Sequence, residues 1–339
     1  LFVMKHALAL GILPQLATYL AALFCSCMLC LGILHRERPS PEHLTFFYLM
    51  VALGGALGGI LVGVVAPLIF VDYWELRIGL LLSCATATWV LLSKPWISAW
   101  RIPLLVASLV VMASLARMSH NPNAETVAKS RNFYGGLKVL LEQQTHGTRV
   151  YSMMHGRICH GLQFDRGQNS RQPSTYFGAD SGIGIAMKHH PKRVGSETGS
   201  PSPLHVGVLG LGIGTIAAYG EAGDRFRFYE INPDVVTMAT NTAFFRYLSS
   251  CPATVDIVMG DARLSLEEEL RERGSQGFDI LTLDVFNGDA IPAHLLTVEA
   301  FSTYLAHLNP ETGVLALHVT NMYLDLVPVI ARIARHCGL

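Results

Sequence analysis

The sequence predicts an α-helical transmembrane region followed by an α/β domain of the nucleotide-binding kind, with a small antiparallel β-sheet leading into that domain. Residues 1–117 are strongly apolar, and most of the charge lies after them. A Val- and Leu-rich run over 204–209 has the composition of a strand buried on both faces. That run breaks into glycines at alternate positions, Gly210, Gly212 and Gly214, as strand-to-helix turns at nucleotide sites do.

The 339 residues divide into four predicted parts. Transmembrane helices, about four in number, occupy 1–118, and a polar linker follows over 119–130. A small β-sheet region spans 131–190, and a nucleoside-binding domain occupies 191–339. The chain begins inside an apolar run and stops after a helix that should lead into another strand. We therefore expect a fragment whose C-terminal strands are missing.

Four apolar stretches are the predicted membrane spans, over 14–34, 44–71, 78–92 and 102–118. In the second, glycines recur four residues apart, which predicts a helix face suited to close packing. From these spans we expect a multi-pass membrane protein with the lipid bilayer as a partner.

The orientation of the domain follows from its cosubstrate. Positively charged loops at 36–38 and 94–101 favour the cytoplasmic side, which with four spans would put the domain on the opposite side. A nucleoside-using enzyme would lack its cosubstrate there. We expect the domain in the cytoplasm and one span to be miscounted or re-entrant.

Charge and cysteine content exclude several classes of function. The 25 basic residues balance 25 acidic ones, so nothing favours nucleic acid as a partner. The seven cysteines include one Cys-x-x-Cys, Cys27 to Cys30, which lies in a lipid-type helix without a histidine or a second pair nearby. We expect no metal site and no disulfide framework. A homo-oligomeric state is left open.

Strand-like runs over 133–140, 149–158 and 158–164 predict the small antiparallel sheet. His155 and His160 are expected on opposite faces of a strand, a poor arrangement for a metal. Asp180 precedes an apolar helical run. Its carboxylate would either cap that helix or face the pocket and hold a cationic substrate.

An acid follows the glycine turn at the distance that a nucleoside site requires. Glu230 ends a predicted strand 16 residues after Gly214, where a carboxylate accepts hydrogen bonds from two ribose hydroxyls. The spacing is Gly-x-Gly-x-Gly and lacks the third glycine placement of the dinucleotide fingerprint. This favours an adenosyl compound without a pyrophosphate over NAD.

Further strands over 255–259, 278–284 and 313–319 alternate with helices, the last over 324–336. Three successive strands end on acids, Glu230, Asp261 and Asp284. Each acid alone could merely cap the next helix or turn. In an open parallel sheet the carboxyl ends of the strands share one rim, where ligands bind. We therefore expect the three acids to meet.

These residues carry a resemblance that spans nearly the whole chain. The chain resembles the bacterial membrane-fused spermidine synthase-like proteins, in which a polytopic region precedes a Rossmann-like domain of the S-adenosylmethionine-dependent methyltransferase fold. The stretches that carry the resemblance are the glycine turn and residues 43–49, 54–59, 131–135, 176–182 and 284–286.

The resemblance implies roles for individual residues. The turn glycines Gly210, Gly212 and Gly214 and the acid Glu230 would hold the cosubstrate, decarboxylated S-adenosylmethionine or S-adenosylmethionine, with Asp261 and Ala262 at its adenine. Asp284 would be the catalytic aspartate that deprotonates an attacking amine. Tyr176, Asp180 and Asp289 would bind the amine substrate. The implied location is the bacterial inner membrane.

The sequence departs from the family pattern at the amine pocket. Ile213 stands where family enzymes carry an Asp in the glycine turn, and Asn287 stands where they carry a second Asp; Asp180-Ser181-Gly182 replaces a Tyr-His-Glu-like triplet. The first expectation is a transferase that moves an aminopropyl group from decarboxylated S-adenosylmethionine to a polyamine. The alternatives are an S-adenosylmethionine-dependent methyltransferase and a non-catalytic membrane module that retains the fold.

Overall fold

The computed structural model describes residues 12–92, 102, 106, 124–143, 147–156, 158–165, 168–195, 202–286, 291–321 and 324–339. They belong to two compact units, residues 1–122 and 123–339. The first is helical. The second contains both β-sheets.

The described part of the first unit consists of apolar helices. Helix α1 spans Ile12–Arg36 and α2 spans Leu44–Ile60; a π-helical segment, Leu61–Val65, joins α2 to the short α3, Ala66–Ile69, and α4 spans Trp74–Leu92. Pro67 lies in the first turn of α3 and has no N–H to donate to the preceding turn. The change of helical pitch directly before it is typical of such a position.

Within the described residues of this unit, two stretches are long and apolar enough to cross a membrane, Tyr19–Arg36 and Pro41–Ile69. They correspond to the first two predicted spans. Helix α4 covers the third predicted span but does not meet the same criterion of length and composition. Of the fourth span only residues 102 and 106 are described, both helical, and the rest lies outside the described residues.

No described residue packs closely on the glycine face of α2. A β-carbon added at Gly54, Gly55, Gly58 or Gly59 would meet no atom within 4 Å. The predicted close packing of another helix on this face is therefore not present among the residues that the structure describes.

The second unit begins with a four-stranded antiparallel sheet in the order β1-β2-β3-β4. The strands are β1 Ala124–Asn132, β2 Gly135–Gln143, β3 Arg149–His155 and β4 Ile158–Phe164. The predicted small sheet is confirmed, but the linker predicted over 119–130 is wrong from residue 124 onwards. Strand β1 lies at the edge of this sheet and pairs only with β2 within it, a position in which polar residues are tolerated. Its polar sequence lacks the alternation typical of a strand and therefore resembles a linker.

A five-stranded parallel sheet forms the centre of the second unit. Its strands are β5 His205–Leu209, β6 Arg225–Glu230, β7 Thr254–Met259, β8 Ile280–Leu283 and β9 Val314–Leu317, in the order β7-β6-β5-β8-β9. The helices of this unit are α5 Gly182–His189, α6 Pro191–Val194, α7 Pro233–Thr240, α8 Ala262–Arg273, α9 Val298–Ala306 and α10 Val327–His336. The predicted α/β architecture with a parallel sheet is confirmed.

Alternate residues of the central strands pack on opposite faces of the parallel sheet. Val206 and Val208 belong to one buried cluster, which also contains Leu137, Val139 and Met153 of the small sheet. Leu209 and Leu283 belong to a second cluster, built with helices α8 to α10. Because the small sheet shares the first core, its strands are held against the main fold by apolar burial.

The amino ends of the strands carry acids with a structural role. Asp224 is fully buried, accepts a hydrogen bond from Leu204 N at 2.8 Å and pairs with Arg193. Asp279 accepts from His205 N at 2.9 Å and pairs with Lys192 at 2.8 Å. Both acids tie helix α6 to the sheet. Their partners account for their burial without a ligand.

Candidate active site

A cavity of about 270 Å³ lies at the carboxyl ends of the parallel strands. The rim of the main sheet contributes Gly210, Gly212, Glu230, Asp261, Ala262 and Asp284 to its wall. The small sheet contributes Leu137, Met153, His155 and His160. The three strand-end acids therefore line one cavity, as the shared rim of a parallel sheet predicts.

The glycines of the turn are required by the fold itself. Gly210 has φ +92°, and a β-carbon there would lie 2.3 Å from the carbonyl oxygen of Asp284. Gly214 has φ +78°, and its β-carbon would meet Leu248 at 2.6 Å. Gly210 and Gly212 line the cavity and Gly214 does not. The cosubstrate role expected of Gly214 stays a prediction.

Glu230 is fixed by backbone donors at the end of β6. Its two carboxylate oxygens accept hydrogen bonds from Leu211 N at 3.1 Å and from Asn232 N at 2.8 Å. Burial raises the pKa of Glu230, and these N–H donors oppose the increase. The backbone N–H of Ile231 also interacts with this carboxylate, so only part of its acceptor capacity is left for a ligand.

Asp261 both caps a helix and lines the cavity. One oxygen accepts from Leu264 N at 3.0 Å as the N-cap of α8, and the other lies 2.9 Å from His294 Nε2. Ala262 is buried beside it in the first turn of α8. The capping role considered for this acid is therefore present, and a role at an adenine remains a prediction.

Asp284 follows β8 and pairs with a histidine that sequence reasoning missed. His318 Nδ1 lies 2.6 Å from Asp284 Oδ1, and only 14% and 9% of the two side chains are exposed. Burial raises the pKa of Asp284, and the hydrogen bond from His318 works in the opposite direction. The register of the folded sheet makes the two residues neighbours, since Leu317 pairs with Leu283 and residues 318 and 284 directly follow that pair.

The three residues predicted to bind the amine have different positions. Tyr176 does not line the cavity; its ring stacks on His318, the partner of Asp284, with centroids 4.1 Å apart. Asp180 is exposed and does not line the cavity; the cap of α5 is its neighbour Ser181, which accepts from Gly184 N. Asp289 and Asn287 lie outside the described residues.

Ile213, which occupies the turn position where an Asp was expected from the resemblance, is buried and apolar in its contacts. It is 1% exposed, and its side chain faces Gly161 of β4 so closely that a β-carbon on Gly161 would lie 2.7 Å from Ile213 Cγ1. Thus Ile213 packs the glycine turn against the small sheet. It supplies no charge to the cavity.

The two histidines of the small sheet are a second omission from the sequence prediction. They do not sit on opposite faces of one strand, because His155 ends β3 and His160 lies in β4 across the hairpin, with ring centroids 5.5 Å apart. Burial lowers the pKa of His155 and lowers that of His160 to about 4. Both are therefore neutral at pH 7.

A polar cluster fixes the hairpin above the cavity. Asn132 Nδ2 donates to Asn232 Oδ1 at 2.7 Å and to Asp234 Oδ2 at 2.8 Å, and Ser130 Oγ donates to the same Asp234 oxygen. These bonds connect the end of β1 to the first turn of α7. They position Phe133 and Tyr134, which line the cavity from the β1–β2 turn.

Among the comparisons with known proteins, only the comparison with solved structures finds similar proteins. No family model matches the chain, and no curated protein sequence matches it. A probable spermidine synthase from Corynebacterium glutamicum is similar over 56% of this chain, with 18% identity and a TM-score of 0.40. The spermidine synthase from Thermotoga maritima is similar over 64% of this chain, with 14% identity and a TM-score of 0.41.

A third solved structure, a spermidine synthase in complex with the transition-state analogue AdoDATO, is similar over 62% of this chain, with 14% identity and a TM-score of 0.42. The aligned part spans 62%, 63% and 65% of the three structures in turn. At these scores the likeness decides nothing about activity. The strand order and the residues that line the cavity bear on function more directly.

Proposed function

We propose that the chain is a membrane-anchored transferase that moves an aminopropyl group from decarboxylated S-adenosylmethionine to an amine of the polyamine class. The observation that carries this proposal is the single cavity that joins the glycine turn, Glu230 and Asp261 to Asp284. The first three are suited to a nucleoside. The fourth is a buried carboxylate beside it, suited to accept a proton.

The charge of the cavity wall favours a cationic ligand. Its described residues include three acids and no Lys or Arg, and both histidines are neutral at pH 7 because their pKa values are lowered. A pyrophosphate or a free carboxylate would be buried there without a cation to pair with. Decarboxylated S-adenosylmethionine carries a sulfonium and an ammonium group and no carboxylate, so its charges complement the acids.

The proposed reaction uses Asp284 as the base. A neutral amine nitrogen attacks the aminopropyl carbon next to the sulfonium, the carbon–sulfur bond breaks, and the electron pair stays on sulfur in methylthioadenosine. The nitrogen loses its proton to Asp284. Glu230 would accept hydrogen bonds from the ribose hydroxyls, and Asp261 with Ala262 would lie at the adenine. Holding both reactants in one cavity supplies the proximity that such a transfer needs.

The direct test is an assay of the full-length chain in detergent with decarboxylated S-adenosylmethionine and a panel of amines that includes putrescine. Methylthioadenosine release that depends on the amine is the expected result. Absence of release across the panel, with cosubstrate binding intact, would overturn aminopropyl transfer.

Ile213 favours a second candidate, a methyltransferase that uses S-adenosylmethionine itself. Because this position is buried and apolar, the turn lacks the acid that an aminopropyl ammonium group would meet. Calorimetry with the two cosubstrates separates the candidates, since only S-adenosylmethionine carries the carboxylate. Tighter binding of the decarboxylated form supports the first proposal.

The location of the enzyme is part of the proposal. The two helical stretches Tyr19–Arg36 and Pro41–Ile69 would anchor it in the bilayer. The domain would face the cytoplasm, where the adenosyl cosubstrate is made. Protease digestion of inside-out and right-side-out vesicles tests this orientation: cleavage of the domain only in right-side-out vesicles would contradict it.

Glu230 provides a test of the nucleoside site that does not depend on turnover. We expect Glu230→Gln to bind methylthioadenosine about 10- to 100-fold more weakly by calorimetry, because hydrogen bonds to a charged acceptor are lost and the new amide N–H₂ faces a backbone donor. Glu268→Gln, a change at an exposed carboxylate outside the cavity, is the matched control. Equal affinity of the two variants would exclude Glu230 from the ligand site.

A further inference from the structure

His318 is placed beside Asp284 by the register of the parallel sheet. Leu317 pairs with Leu283 across β9 and β8, and His318 N donates to Leu283 O at 2.9 Å. The backbone of His318 is therefore fixed independently of its side chain. From there its Nδ1 reaches Asp284 Oδ1 at 2.6 Å. When Asp284 is ionised it can only accept, so Nδ1 is then the nitrogen that carries the proton.

Aromatic packing holds the imidazole in this orientation. Tyr176 stacks on it at an interplanar angle of 26°, and the ring of Phe286 lies 4.9 Å away. The far nitrogen, Nε2, is buried and has no hydrogen-bond partner among the described residues. Tyr176 packs against the imidazole and Cys159 interacts with Tyr176; burial raises the pKa of both, so both are neutral at pH 7. The other acids and histidines of the cavity wall are His155, His160, Glu230 and Asp261. Asp284 is the acid that the imidazole contacts directly.

The two carboxylate oxygens of Asp284 have different partners because of this hydrogen bond. Oδ1 is occupied by His318, and Oδ2 is the oxygen left for a substrate amine. An unsupported carboxylate in this position would gain a proton readily, because burial disfavours its charged form. A protonated Asp284 cannot accept a proton from the attacking amine.

We propose that His318 is a positioning residue that keeps Asp284 ionised and directs its free oxygen at the attacking amine. The inference rests on the proposed function, since it assigns Asp284 the role of base. It predicts the direction of the pH dependence. Activity rises with pH as Asp284 ionises, and loss of the Nδ1 donor moves this rise to higher pH.

Two amide substitutions form a matched pair for the test. In His318→Asn the amide nitrogen occupies the place of Nδ1 and can still donate to Asp284. In His318→Gln the amide reaches the place of Nε2, and the donor to Asp284 is lost. We expect His318→Gln to lower kcat about 10- to 100-fold at pH 7, with recovery at higher pH and little change in the KM of the cosubstrate. His318→Asn should keep most of the wild-type kcat and its pH profile.

A uniform loss of kcat at every pH, equal in the two variants, would show a merely structural role and overturn the proposal.

Infrared difference spectroscopy gives a readout that needs no turnover, because the C=O band of protonated Asp284 appears as the pH falls and is absent from Asp284→Asn. This band should appear at higher pH in His318→Gln than in wild type. An unshifted band would also overturn the proposal; a shifted band in a protein that transfers no aminopropyl group would overturn the proposed function alone. If His318→Gln does not fold, the same comparison is made between His318→Phe, which also lacks the donor, and His318→Asn.

Discussion

Replacing Asp284 with Asn should reduce the turnover number by a factor of about 10² to 10⁴, the range expected when a general base is removed. The amide has the shape of the carboxylate, and its oxygen can still accept the hydrogen bond from His318 Nδ1. The cavity should therefore keep its form and its affinity for methylthioadenosine. What is lost is the ability to accept a proton from the amine. In free energy of activation the loss corresponds to about 3 to 5 kcal/mol.

The control for this variant is Asp256→Asn, the same chemical change on strand β7. Asp256 lies outside the cavity wall and is 45% exposed, with Arg225 at 3.8 Å. Its effect on turnover should be negligible, since exposed ion pairs contribute little. The measurement is methylthioadenosine release under single-turnover conditions, together with calorimetric affinity. Full activity in Asp284→Asn would remove Asp284 from the chemistry even if the ligand still binds.

The parallel sheet was predictable because its strands can be recognised from their own sequences. Runs such as 205–209 and 280–283 are apolar without alternation, as strands covered on both faces are. The acids at their ends could be predicted as neighbours from the shared rim alone. By contrast, β1 is polar over most of its length, and its pairing with β2 is decided by the sheet that it joins. Local sequence does not contain that information.

The site was predicted in part for the same reason. Glu230, Asp261 and Asp284 end strands, so topology brings them to one edge. His318 also follows a strand, but a histidine after an apolar run has no distinguishing pattern until strand order makes it the neighbour of Asp284. His155 and His160 meet across a hairpin whose register includes an irregularity between Met153 and Met154. A sequence does not show which side chains such an irregularity turns inwards.

The most severe structural effect is expected from Gly210→Ala. A methyl group there would lie 2.3 Å from the carbonyl oxygen of Asp284, and φ at this residue is +92°. The atom that the methyl group would meet belongs to the backbone of Asp284, which cannot move aside as a flexible side chain can. Strands β5 and β8 must therefore separate at their carboxyl ends. Backbone strain and overpacking together should lower the free energy of unfolding by about 2 to 5 kcal/mol. The same displacement moves Asp284, so activity should fall even where the protein remains folded.

Gly274→Ala is the control that separates backbone strain from overpacking. Gly274 follows α8 with φ +79°, but a β-carbon there meets nothing within 4 Å. With ψ −166° this residue lies in a backbone region that is essentially restricted to glycine, so the variant carries the conformational cost without the collision and should lose about 1 to 3 kcal/mol. Thermal unfolding of both variants, with methylthioadenosine binding measured on each, distinguishes strain in the turn from contact with Asp284. If Gly210→Ala were no less stable than Gly274→Ala, the close approach of the glycine turn to Asp284 would not be what requires glycine at position 210.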